Sequence, residues 1–280
     1  MYKMYGTIIG DIAGSTYEFK NIKYSLDRKD LINKRSEFTD DTVMALAVAK
    51  GIYNVIKDDD NKKSLDIIGN KDRQDDLYLS IQKEMQDFGR IYPNAGYGGS
   101  FIQWIHSENP KPYNSWGNGS AMRVAYCGWI ANSLEEAELL AEISAKITHD
   151  HFEGIKGAKV VAGCIFLLRN GATKQEIKDY ASKYYYLDFT LDEIRPIYKF
   201  DVSCQGSVPQ AITAFLEGED FCSVISKAIS IGGDSDTIAA IAGSIAEAFY
   251  EIPDFLYNRS IDKLDDFLLD VLYDINQILD

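Results

Sequence analysis

Histidine, cysteine and proline are scarce in this chain of 280 residues, which has three, four and six of them. The cysteines, Cys127, Cys164, Cys204 and Cys222, form no CxxC pair, which excludes zinc ribbons and dithiol redox motifs. His106, His149 and His151 leave little material for a histidine-rich zinc site. No long apolar run and no signal peptide stand out. A soluble, cytoplasmic protein with reduced thiols and no membrane partner is therefore expected. Basic residues are also short, with 29 Lys and Arg against 43 Asp and Glu and a net charge of −14. Nucleic acid is not an expected partner, because phosphate contact needs cationic side chains. An acidic site can still hold an anionic nucleotide where divalent cations mediate the contact.

Strand-like alternation is rare and helical periodicity dominates, which argues for an all-α chain. Met44, Ala47, Val48, Gly51 and Val55 recur at helical spacing, as do Ile238, Ile241, Ala242, Ile245 and Phe249. Further helical stretches run over 134–147, 156–168 and 264–279. Two segments are rich in small residues: Gly6, Gly10, Ala13 and Gly14, and then Ala239, Ala240, Ala242, Gly243 and Ala246. Such helices suit a central place with neighbours close to their backbones. The charged stretches 26–37 and 57–76 read as exposed loops or frayed helix ends, and 184–200 as an aromatic loop elaboration. No linker separates two cores, so residues 1–280 are expected to form one domain, and a monomer.

Acidic residues gather at two helix starts. Thr39, Asp40, Asp41 and Thr42 precede a helix expected from Val43. Gly232, Gly233, Asp234, Ser235, Asp236 and Thr237 precede one expected from Ile238. Helix capping explains one acid in each cluster. It explains the second less well, because adjacent carboxylates repel unless a cation is present. Oxygen donors of this kind suit Mg²⁺ or Ca²⁺ rather than zinc. Two capped helices and one shared metal site both remain open on the residues alone.

Two glycine-rich runs, 94–99 and 115–123, each lead into a helix-like stretch. Neither is a P-loop or a dinucleotide-binding fingerprint. They are either ordinary loops or backbone cradles for a pyrophosphate, with Trp116 and Tyr97 offering faces for a base or ribose. His149 and His151 lie two apart and so not on one helical face, which makes a metal pair unfavourable. A single ligand-bonding histidine and a structural one are equally consistent with the sequence.

Taken together, the segments 10–19, 38–42, 95–98, 115–124, 148–149, 207–212 and 232–238 resemble the ADP-ribosylglycohydrolase family, in the family's order. The resemblance implies a single orthogonal bundle of helices around a central binuclear Mg²⁺ site. Its metal ligands fall on Thr39, Asp40, Asp41, Asp234, Asp236 and Thr237. Glu18 falls on a glutamate that lies beside the metals and is needed for activity in the serine-type branch, and Asp41 is the next candidate base. Gly96, Ser115, Trp116, Gly117, Asn118 and His149 fall on positions that hold ADP-ribose, and the amides of Gly96–Gly98 and Trp116–Gly119 would line the same cleft. Trp116 replaces a family tyrosine. The implied reaction releases ADP-ribose from a protein side chain or a small molecule through an oxocarbenium-like state. Residues 90–101 lack the acidic residue that the arginine-specific bacterial branch places there, which leans away from an arginine acceptor. Two rivals are a Mg²⁺ nucleotide pyrophosphatase, whose usual ExxE pairs are missing near these clusters, and a non-catalytic ADP-ribose-binding relative.

Overall fold

The computed structural model describes residues 3–57 and 65–279. Its α-helices begin with α1 (Tyr5–Ser15), α2 (Asp40–Ile56), α3 (Lys71–Ile91), α4 (Gly99–Ile105) and α5 (Ala125–Ile130). There follow α6 (Leu134–Lys146), α7 (Phe152–Arg169), α8 (Lys174–Ala181), α9 (Leu191–Ile194) and α10 (Cys204–Glu217). The chain closes with α11 (Phe221–Ser230), α12 (Ser235–Glu247), α13 (Asp254–Ile261) and α14 (Asp266–Leu279). The fold is all-helical, and pairing of the extended kind is confined, among the described residues, to one isolated bridge between Gly117 and Ser203.

The helices share a continuous apolar core. At its centre α1 lies against α12, and the small residues explain why. A Cβ added at Gly6 would sit 2.2 Å from the carbonyl oxygen of Gly243, and one at Gly10 would sit 2.1 Å from that of Ala239. At Gly14 the obstacle is the backbone of Asp236, 2.4 Å away. The two helices meet backbone to backbone, and the end of α1 is pressed onto the first turn of α12. Gly6→Ala is therefore expected to destabilise the fold by ~3 kcal/mol or more, at the upper end of overpacking costs, because backbone cannot move aside as a rotamer can. A denaturation midpoint equal to that of the wild type would show that the two helices can separate without cost.

Of the stretch expected as exposed loop or frayed helix end, residues 71–76 form the ordered first turns of α3, and Leu65 and Ile67 just before them are buried; residues 58–64 lie outside the described residues. The helix buries Leu77, Ile81, Met85 and Phe88, one stripe at helical spacing on an otherwise polar surface. The stretch 26–37 holds a single 3-10 turn, and 184–200 holds only the one-turn α9. All four cysteines are free and buried. Among the described residues no helix is long and apolar enough to cross a membrane.

Candidate active site

The site begins with Asp11, a buried carboxylate in the apolar α1. It accepts hydrogen bonds from the Thr39 amide at 2.9 Å, the Thr39 hydroxyl at 2.7 Å, the Thr42 amide at 3.0 Å and the Thr42 hydroxyl. Four donors on one carboxylate clamp the start of α2 onto α1. The cap of α2 is Thr39, whose Oγ1 accepts from the Asp41 amide at 3.3 Å. Capping thus occupies a threonine and leaves Asp40 and Asp41 for other work. The Asp40 amide donates to the Ala95 carbonyl at 2.8 Å, which fixes the glycine-rich 95–98 segment beside the acids.

The second helix start arrives through Gly232 and Gly233, both left-handed at φ +68° and +74°. This turn is tied to the segment after α1, because Asn21 Oδ1 accepts from the Gly233 amide and Lys23 Nζ donates to the carbonyls of Ile231 and Tyr198. Asp234 sits at the cap position of α12 without capping it; its carboxylate accepts from Asn118 Nδ2 at 2.7 Å. Ser207 Oγ receives the same amide group of Asn118 at 2.9 Å. Thr237 Oγ1 donates to Asp41 Oδ2 at 3.0 Å, so the two helix starts touch.

Two sets of carboxylates result, each with oxygens within 4.8 Å of one another: Asp11, Asp41 and Asp236, and Glu18, Asp234 and Asp236. Asp236 belongs to both. Asp40 stands outside these sets and faces the adjoining cavity beside Gly96. Burial, reinforced by the neighbouring acids, pushes Asp41 and Asp236 well above the usual carboxylate range. Burial followed by the charges of Asp11 and Asp234 raises Asp40 to about 8, and burial followed by Asp234 raises Glu18 to about 7. Asp41 Oδ1 is buried without a hydrogen-bond partner. An orphaned oxygen among crowded acids fits hard divalent cations, which supply the positive charge the protein does not.

A cavity of about 640 Å³ opens from these acids. Its wall includes Gly96, Gly98, Ser115, Trp116, Gly117, Asn118, Gly119 and His149. Trp116 stands at the lip, 52% exposed, with its ring near that of His151. Tyr97 departs from the expectation. It is buried with its ring against Phe101, 5.5 Å between centroids, and is not part of the wall. Two of the amides expected to face a diphosphate are also spent within the protein. That of Gly117 donates to Ser115 Oγ at 3.1 Å, and that of Asn118 to the Val202 carbonyl at 2.7 Å.

The family model for ADP-ribosylglycohydrolase matches residues 3–278. The chain belongs to the ADP-ribosylglycohydrolase family. Among its relatives, ADP-ribosylhydrolase ARH3 of Homo sapiens is 26% identical over 88% of this chain and 83% of its own. ADP-ribosylarginine hydrolase Tri1 of Pseudomonas putida is 25% identical over 88% and 69%. The ADP-ribosyl-(dinitrogen reductase) glycohydrolase of Rhodospirillum rubrum is 26% identical over 89% and 84%. A solved ADP-ribosylglycohydrolase-related protein complex shares the fold, with a TM-score of 0.67 and 19% identity over 99% of this chain and 96% of that one.

Within this ADP-ribosylglycohydrolase fold, Asp11 and Arg123 belong to the site although no acidic cluster in the sequence marks them. Both lie inside family-like segments, 10–19 and 115–124. Asp11 carried a usable signal, since a lone acid in a helix of glycine, alanine and isoleucine must be partnered when buried. Arg123 is fully buried and lines the cavity, with no acidic neighbour in sequence to draw attention to it.

Proposed function

We propose that this protein hydrolyses the glycosidic bond between ADP-ribose and an acceptor, a protein side chain or a small molecule, with the help of two Mg²⁺ ions. The observation that carries the reading is the pair of carboxylate sets sharing Asp236 at the end of a glycine-walled cavity. Asp40, Asp41, Asp234 and Asp236, with Thr39 and Thr237, would hold the cations, while Asp11 keeps the start of α2 in place. Cations there would supply Lewis acidity to ribose hydroxyls and to an attacking water. The family membership and the hydrolase names of the relatives support the bond that is cut.

The residues divide the work along the cavity. The 115–119 loop and the 96–99 segment bear few side chains, so a diphosphate can pass close to the backbone there. Trp116 at the lip offers a face to the adenosine end. The distal ribose then reaches the acids, where negative charge stabilises an oxocarbenium-like state. Glu18, whose carboxylate lies within 4.8 Å of those of Asp234 and Asp236 and is partly open to the cavity, takes a proton from the attacking water.

A panel of defined ADP-ribosylated substrates, each assayed with and without Mg²⁺, tests the reading. Free ADP-ribose should appear only with the cation, and AMP as product would identify a pyrophosphatase instead. Gly117→Val tests the grip. Its first added carbon would lie 3.2 Å from Ser115 Oγ and 3.3 Å from His149 Nε2, and the two methyl groups beyond it add bulk to the cavity wall. ADP-ribose affinity measured by calorimetry should fall by about tenfold or more, as expected from a ~1–3 kcal/mol overpacking cost. Unchanged affinity in a folded variant would remove this loop from the binding surface.

A further inference from the structure

Arg123 is an unusual side chain for a cavity wall. Its guanidinium is fully buried, and its hydrogen bonds go to neutral partners. NH2 donates to the Ser144 carbonyl at 2.8 Å and to Thr148 Oγ1 at 2.9 Å, while Nε lies 3.4 Å from Ser144 Oγ. Thr148 Oγ1 is in turn 2.7 Å from His149 Nδ1.

The direction of that last bond follows from the donor inventory. A guanidinium only donates, so Thr148 Oγ1 accepts from it. The hydroxyl keeps one hydrogen of its own and is fully buried, and among the described residues Nδ1 is the acceptor it reaches. A buried hydroxyl hydrogen left unpaired costs ~1–3 kcal/mol, so it goes to Nδ1. Nδ1 is then the accepting nitrogen. The proton of the neutral ring sits on Nε2, the atom that lies beside Gly117 and Gly119, 3.3 and 3.2 Å from where a Cβ on each would stand.

We propose that Arg123 and Thr148 are positioning residues that lock His149 in the tautomer carrying its proton on Nε2, so that the ring offers one N–H to an anionic oxygen of the bound ligand. Burial first, and the neighbouring Arg123 charge second, hold the ring neutral by pushing its pKa well below the ordinary value. With the Gly117 and Asn118 amides already committed, the 115–119 loop has fewer donors of its own for a diphosphate, and the Nε2–H adds one beside it. In the opposite tautomer a lone pair would face that anion. The ligand part of this inference rests on the ADP-ribose reading of the cavity, whereas the tautomer does not.

Nuclear magnetic resonance of ¹⁵N-histidine protein at neutral pH, without ligand, tests the tautomer directly. The His149 signals are assigned by their loss in His149→Gln. Nδ1 should resonate as an accepting nitrogen and Nε2 as an N–H. An imidazolium, or a proton on Nδ1, overturns the proposal. In Thr148→Val the proton should redistribute between the nitrogens, and ADP-ribose affinity should fall about ten- to a hundredfold, the range for one hydrogen bond to a charged group. Thr148→Ser should restore both readouts, as a merely space-filling threonine would not require. A valine variant with wild-type tautomer and affinity also overturns the relay. If that variant does not fold, the wild-type spectrum and Thr148→Ser still decide. The stated tautomer in a wild type that binds no ADP-ribose supports the relay and sinks the reading of the cavity.

Discussion

Glu18→Gln is expected to lower turnover by roughly 10²–10⁴, the usual range for losing general acid–base help, while ADP-ribose affinity changes only a few-fold. Glutamine keeps the size of the side chain and removes its proton affinity. The position of Glu18 supports a role in chemistry over one in structure. It lies on the segment after α1, in neither acidic helix start, yet its carboxylate oxygen is within 4.8 Å of oxygens from Asp234 and Asp236. A base must be unprotonated to act. Burial and Asp234 raise Glu18 to about 7, so without cations its active form is gained as pH rises through neutrality. Nearby cations move that point downward, because positive charge favours the carboxylate. The wild-type kcat should therefore climb with pH along an acid limb, and Glu18→Gln should be low with that limb removed. Single-turnover measurements across pH at saturating substrate check this. Near-normal turnover in the variant would shift the role to Asp41, whose Oδ1 is buried and unpartnered.

The contrast between Glu18 and its neighbours shows which parts of the site the sequence made legible. Doubled acids at Asp40/Asp41 and Asp234/Asp236 made a common place one of two open readings, because like charges need a reason to gather. The Thr237–Asp41 hydrogen bond shows that the two helix starts do meet. The small residues of α1 and α12 were likewise readable, since a helix without side-chain bulk has a purpose only if something lies against it. What escaped was direction and connection. Tyr97 sits between glycines of the cavity wall, but its ring turns inward onto Phe101, and a motif carries no record of which way a side chain points. The amides of Gly117 and Asn118 looked free because their acceptors, Ser115 Oγ and the Val202 carbonyl, are fixed only by the folded loop. The Arg123–Thr148–His149 chain joins residues up to 26 positions apart through hydroxyl chemistry common to many threonines. The start of α3 was hidden by its charge, since its buried stripe begins only at Leu77.

Asp236→Asn should have the opposite signature to Glu18→Gln. Asp236 is the one carboxylate common to both sets, so neutralising it weakens both candidate cation positions at once. Loss of an outer-shell partner alone typically costs 10–100-fold in metal affinity, and loss of a shared ligand should exceed that, giving a fall of ~100-fold or more. Activity should fall with it and return in part at high Mg²⁺, whereas Glu18→Gln should not respond to added cation. The substitution is a clean one, because asparagine keeps the Oδ1 acceptor that the Thr237 amide uses at 3.0 Å. Stability gives an independent readout. Burial and the charges of Asp234 and Glu18 push Asp236 well above its ordinary pKa, so its negative form is costly in the cation-free fold. Without Mg²⁺ the variant should melt no lower than the wild type. Added Mg²⁺ should then raise the wild-type midpoint, by an amount equivalent to ~2.7 kcal/mol at a hundred times its dissociation constant, and leave the variant nearly unmoved. A variant that retains the full Mg²⁺-dependent rise would place the cations away from Asp236, and the shared-carboxylate reading would go with it.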